Sequence, residues 1–140
     1  MVIRKKGSFE AAHMLSNYNG ACGNLHGHSY SYELELHGVT GNHDMVMDFT
    51  IIKGAIDAFD HALLISAESS RDPAEQALLE WAKEWKKKVV LMHEGRPTAE
   101  KIAQQIAKAF LTFNVGKINK VVCRLKETGS SEVEVTEEWN

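Results

Sequence analysis

Cysteine is scarce, with two in 140 residues, Cys22 and Cys123. That excludes a disulfide scaffold, and in a reducing cytosol both would be free thiols that need separate explanations. Long apolar runs are absent. No window approaches the roughly 18 uninterrupted apolar residues of a membrane span. The opening "MVIRKKGSFE" lacks the apolar centre of a secretion signal, so the chain reads as cytoplasmic. Excess positive charge is absent too. Sixteen Lys and Arg stand against nineteen Asp and Glu, a net charge of −3 with neutral histidines. Nothing drives such a chain toward nucleic acid or an anionic membrane. Its one basic run, Lys86 to Lys88, suits a helix C-terminus, where the helix dipole favours cations. Repeats, low-complexity tracts and linkers are also missing. One domain over 1–140 is expected, large enough to bury about two thirds of its unfolded surface.

What is present is patterned. Val2 to His13 reads as a strand with Phe9, Ala11 and His13 on one face. Ser16 to Asn24, rich in Gly, Asn and Ser, reads as a loop. His26 to His37 alternates: His26, His28, Tyr30, Tyr32, Leu34 and Leu36 on one face, Ser29, Ser31, Glu33 and Glu35 on the other. Gly38 to Asp44 is a turn and "MVMDF" a short strand leaving it. Three helices follow. Ile52, Ala55, Ile56 and Phe59 form the stripe of the first, with Thr50 as a possible N-cap. Asp72 to Lys88 opens "DPAE" and has a stripe of Ala74, Ala77, Leu78, Trp81 and Trp85. Thr98 to Phe113 opens "PTAE" and buries Ile102, Ile106, Phe110 and Phe113. Two strands, "INKVVCRLKE" and "EVEVTEEW", close the chain around "TGSS". Paired strands adjacent in sequence predict an α+β fold, an antiparallel β-sheet with helices packed on one face.

"HGH" on a strand puts His26 and His28 on one face, about 7 Å apart along the backbone. Gly27 between them permits close approach. If the first two strands pair, His13 joins them. Three histidines with an open fourth position are the pattern of catalytic zinc, and a closed set of four the structural one. Strand histidines that are merely exposed or hydrogen-bonded are the plain alternative. Cys22, in the loop just before, is a base or nucleophile if a cation lowers its pKa, a small buried apolar residue, or a structural zinc ligand. Cys123 alternates with Val121 and Leu125 and reads as core. Asp60 beside His61 could orient and charge-stabilise that imidazole, or be a satisfied surface pair. Glu127 continues the inward face of Val121, Cys123 and Leu125. There it needs partners, such as a heterocycle offering two adjacent N–H donors, unless the strand end is solvated.

"FEAAH", "CGNLHGH", "MDF", "DHALL", "PTAE" and "LKET", in this order over nearly the whole chain, resemble the 6-pyruvoyltetrahydropterin synthase/6-carboxytetrahydropterin synthase family. The Cys-x-x-x-His-Gly-His spacing is similar to the bacterial 6-carboxy-5,6,7,8-tetrahydropterin synthase branch of queuosine and other deazapurine pathways. The resemblance implies the tunnelling fold (T-fold) and a homohexamer, a dimer of trimers with active sites at subunit interfaces. It implies zinc on His13, His26 and His28, and a catalytic group of Cys22, Asp60 and His61. Glu127 would anchor the pterin, and Thr98 and Glu100 would line its pocket. The implied substrate is 7,8-dihydroneopterin triphosphate, and the products 6-carboxytetrahydropterin, acetaldehyde and triphosphate. The alternatives are the triphosphate-eliminating 6-pyruvoyl enzyme, a zinc lyase or hydrolase that does not need Cys22, and a zinc-stabilised interaction module. One departure from the family is a longer link between "DHALL" and "PTAE", a helical insertion around 68–95.

Overall fold

The alternation of the first two apolar faces decides the centre of the fold. A computed structural model describes residues 1–67, 71–113 and 117–140. Strand β1 (Val2–His13) pairs antiparallel with β2 (His26–Gly38) along its full length, Val2 opposite His37 and His13 opposite His26. β2 pairs with β5 (Ile118–Thr128), and β5 with β6 (Ser131–Glu138), both antiparallel. Two further strands join the other edge in parallel: β3 (Ala62–Ser66) beside Ala11–His13 of β1, then β4 (Val89–Met92) beside β3. The sheet order is β4-β3-β1-β2-β5-β6.

Phe9, Ala11, Tyr30, Leu34, Leu36, Val121, Cys123 and Leu125 point to one side and meet helices α1 (Phe49–Asp57) and α3 (Ala99–Phe113) in a single core. Cys123 is sealed there, and burial pushes its thiol up to about 12, the state of an inert packing residue. The opposite side of β1, β2 and β5 is a ladder of ion pairs. Arg124 alone meets Glu33, Glu35 and Glu134.

The α+β class and the antiparallel run β1-β2-β5-β6 match expectation. The differences lie in the middle of the chain. "MVMDF" forms no strand: Val46 and Met47 plug the core from irregular backbone, and α1 starts at Phe49. Its N-cap is Asp48, whose Oδ1 accepts from both the N–H and the hydroxyl of Thr50 at 2.8 Å. "ALLIS" is a strand rather than part of a helix end. The expected insertion over 68–95 begins with residues 68–70, which lie outside those described. The rest of it supplies α2 (Pro73–Glu84) and β4.

Helix α2 packs on the sheet side away from α1 and α3, against Leu63 and Ile65 of β3. The buried residues of α2 are Glu75, Leu79 and Ala82, whereas Trp81 and Trp85 are 48% and 62% exposed. The helix is therefore rotated relative to the expected stripe. The backbone N–H of Ser66 donates to Glu75 Oε1 at 2.8 Å, which turns Glu75 inward. Positions i+4 and i+7 from it, Leu79 and Ala82, follow onto the buried side. Asp72 caps the helix through the N–H of Glu75 and also accepts from the N–H of Asn17, tying α2 to the loop after β1. Among the described residues no helix is long and apolar enough to cross a membrane.

Candidate functional site

The end of β1 and the start of β2 bring three imidazoles together. His13 stands directly opposite His26, and His28 is opposite Ala11, one side-chain step along the same face. Gly27 faces Ala12, and a Cβ there would come 3.3 Å from the carbonyl of Ala11, so the absent side chain lets the two strands close. Ring centroids lie 4.6, 5.2 and 4.9 Å apart. One nitrogen from each ring falls within 4.8 Å of the others.

The hydrogen bonds assign the tautomers. His13 Nδ1 donates to the carbonyl of Pro97 at 2.6 Å, and His26 Nδ1 to the carbonyl of Asn24 at 2.7 Å. In neutral rings both Nε2 atoms then carry lone pairs, and they face each other at 3.1 Å. The Nε2 of His28 is buried without a hydrogen-bond partner among the described residues. Facing lone pairs beside an unpartnered buried nitrogen repel one another unless a cation sits between them. The donor set therefore fits a metal ion. Burial, opposed by the Pro97 bond and reinforced by the neighbouring imidazoles, lowers the His13 pKa to about 4, so this ring is neutral, the form a metal binds.

The carboxylate of Glu127 lies 3.9 Å from His13 Nε2 and 4.0 Å from His28 Nε2. It continues the inward face of β5 and sits where the β5–β6 pairing shifts register, between Lys126 and Thr128. Cys22 is exposed in a single 3-10 turn, Ala21–Gly23, held by the N–H of Leu15 on the Cys22 carbonyl at 2.9 Å. His13, Cys22, Thr98, Glu100 and Glu127 line one cavity of about 330 Å³. Thr98 reaches it because it caps α3, its hydroxyl accepting from the N–H of Lys101 at 3.3 Å.

Asp60 and His61 stand elsewhere. They do bond each other, His61 Nδ1 to Asp60 Oδ2 at 3.0 Å. Asp60 Oδ1 accepts from the N–H of Glu10 at 2.9 Å, and this bond first, then His61, holds the carboxyl below its ordinary range. His61 has a left-handed backbone (φ 57°) and a side chain 77% exposed. It borders a second cavity with Ala12, Leu25 and Trp81, separate from the one holding Cys22. Arg124, close to Glu127 in sequence, is committed to the acidic ladder on the other side of the sheet.

Sequence reasoning missed the supports. The Tyr30 hydroxyl lies 3.3 and 3.4 Å from the two nitrogens of His13. Burial first, then Glu127 and Cys22, pushes this phenol far above its ordinary value, so it stays a neutral donor. Alternation puts Tyr30 on this face but gives it no role. The carbonyls of Pro97 and Asn24 carry no side-chain signal at all.

A model of the 6-pyruvoyl tetrahydropterin synthase family matches residues 2–138. The 6-carboxy-5,6,7,8-tetrahydropterin synthase of Aquifex aeolicus is 35% identical over 130 residues, covering 84% of this chain and 76% of that protein. The Haemophilus influenzae protein of the same name is 33% identical over 87 residues, 56% of this chain and 62% of that one. The solved 6-pyruvoyl tetrahydropterin synthase of Plasmodium falciparum shares the fold at a TM-score of 0.66 and 18% identity, covering 99% of this chain and 98% of that one. With the fold and the histidine cluster in place, the match along nearly the whole length shows that this chain belongs to the 6-pyruvoyl tetrahydropterin synthase family.

Proposed function

We propose that this chain is a zinc-dependent 6-carboxy-5,6,7,8-tetrahydropterin synthase. It converts 7,8-dihydroneopterin triphosphate to 6-carboxytetrahydropterin, acetaldehyde and triphosphate in a cytoplasmic queuosine or deazapurine pathway. The observation that carries this reading is one cavity bordered by Cys22, His13 and Glu127, beside imidazoles whose lone pairs converge. The names of the A. aeolicus and H. influenzae relatives support the carboxy branch.

His13, His26 and His28 hold the zinc, which when bound supplies Lewis-acid polarisation and a template for the substrate side chain. Glu127 grips two adjacent N–H donors of the pterin ring with its two oxygens, and Thr98 and Glu100 flank the ring. That grip sets the reacting carbons against the Cys22 sulfur. Cys22, as thiolate, takes and returns protons at those carbons. His61, oriented by Asp60, is the second acid/base group. Because the pair borders a different cavity in its own chain, it serves the site of a neighbouring subunit in a hexamer built as a dimer of trimers. The whole chain acts as one domain, and the segment 68–95 is an insertion into it.

A second reading, the 6-pyruvoyl enzyme, is supported by the description of the matching family model. Purified, zinc-loaded protein incubated with dihydroneopterin triphosphate separates the two. Acetaldehyde with the carboxypterin is the expected result. A pyruvoyl product supports the second reading, and no consumption of substrate overturns both. A zinc-stabilised interaction module predicts instead that chelation unfolds the chain and that Cys22→Ala releases the metal.

A further inference from the structure

Lys88 borders the same cavity as His61 and makes an arrangement that the core does not require. The run Lys86 to Lys88 follows the last turn of α2, as its charge suits: Lys86 is left-handed (φ 52°), and the N–H groups of Lys86 and Lys87 donate back to the carbonyls of Lys83 and Ala82, which closes the helix. Lys88 stands immediately before β4, and its carbonyl accepts from the N–H of Leu63 at 2.9 Å, which sets its backbone beside the start of β3. From there its ammonium donates to two backbone carbonyls, Asp57 at 2.7 Å and Asp60 at 2.6 Å. Asp57 is the last residue of α1, where carbonyls lack helical partners and the dipole favours a cation.

The second acceptor is the informative one. The Asp60 carbonyl and the His61 N–H belong to a single peptide unit. Lys88 holds its oxygen, and its N–H donates to the Glu10 carbonyl at 2.6 Å. That peptide is pinned at both ends, and the next backbone angle is the left-handed φ of His61. A non-glycine residue persists in that region only where its surroundings over-determine it. A lysine with a solvated ammonium would leave the oxygen end free to rotate.

We propose that Lys88 is a positioning residue: by clamping the Asp57–Asp60 turn, it sets the direction in which the His61 imidazole leaves the backbone. This rests on the reading of Asp60 and His61 as an acid/base pair. It predicts that the segment between α2 and β4 tunes the reaction although it does not touch the Cys22 cavity.

Four proteins test it: wild type, Lys88→Met, His61→Ala and the double variant, all zinc-loaded, with Lys88→Arg and Lys83→Met as controls. Lys88→Met is expected to lower kcat about 10- to 100-fold with KM changed less than about threefold. Lys88→Arg recovers most of that loss, and Lys83→Met, on the exposed side of α2, is unchanged. Adding Lys88→Met to His61→Ala costs nothing further, because Lys88 acts through His61. Losses that multiply in the double variant, a kcat within about twofold of wild type, or an effect confined to KM overturn the proposal. A second measurement needs neither metal nor substrate: the NMR ring resonances of His61 should move in Lys88→Met and stay put in Lys83→Met. Unmoved resonances overturn the proposal. If His61→Ala turns over like wild type, the acid/base reading fails, and the NMR comparison still decides whether Lys88 sets the ring.

Discussion

The His13–His26–His28 cluster and the Asp60–His61 pair are both tied to strand β1, one through His13 and the other through the Glu10 backbone, yet are built in opposite ways. The cluster is assembled by strand register within one chain. Its rings are buried or half-buried, and two are oriented by backbone carbonyls. The pair is assembled by a turn, hangs on the Glu10 backbone and leaves His61 open to solvent beside exposed Leu25 and Trp81. An inward group completes itself, while an outward group needs something brought to it.

The largest effect should come from the inward group. His28→Ala is expected to lower zinc affinity on the order of 100-fold or more, read as metal content after dialysis, with turnover falling in parallel. Retained zinc would break the assignment of ligands. Cys22→Ala should keep the metal and lose about 10²- to 10⁴-fold in kcat. His61→Ala should do the same without altering the cavity that holds Cys22. Mixing those two inactive variants by co-refolding then puts the comparison itself at risk. If the outward pair serves a neighbouring chain, random assembly restores about a quarter of wild-type activity, since each site needs two intact contributors. No recovery would place both groups in one chain.

Smaller effects test the frame between the two. Burial opposes ionisation of Glu35, but hydrogen bonds from His37, Arg4 and Arg124 overcome it and hold the carboxyl at about 2. Its folded pKa is depressed below the ordinary 4.5. The stability it contributes is therefore present above that value and lost as pH falls toward about 2, a loss of about 1 to 3 kcal/mol by linkage once solvent screening is allowed for. Acid titration of unfolding should show the slope, and Glu35→Gln should flatten it. The least change is expected from Trp81→Ala, within about 0.5 kcal/mol in chemical denaturation of the isolated chain, because the indole lies on the exposed side of α2.

Much of the inward group is legible in the amino-acid order alone. Period-two alternation puts His26 and His28 with Tyr30 to Leu36, and it carries Glu127 along Val121, Cys123 and Leu125. Both are local patterns that the strand itself enforces. The outward group can be named from sequence but not located. Within "DHALLIS" only Ala62 to Ile65 are apolar, in an unbroken run, and a strand buried on both faces has no alternation to separate it from a helix end. β3 escapes sequence reading for that reason, whereas β4 is only four residues long, too short to show a period. Helix α2 misleads in another way. Hydrophobicity favours a stripe through the indoles of Trp81 and Trp85, whereas the rotation is set by one bond from Ser66 to Glu75. No pattern within a helix encodes a partner on a distant strand.

The pairing of His13 with His26 has one more consequence. Alternating strands tolerate a shift of two residues far better than a shift of one, and the long segment joining β1 to β2 is no tight turn that would dictate alignment. A two-residue slip keeps the alternation but puts His28 or Asn24, instead of His26, opposite His13, and so changes the geometry of the triad. A metal ion held by the observed triad would therefore favour this register over the slipped ones, because a ligand that binds one form best stabilises that form by mass action.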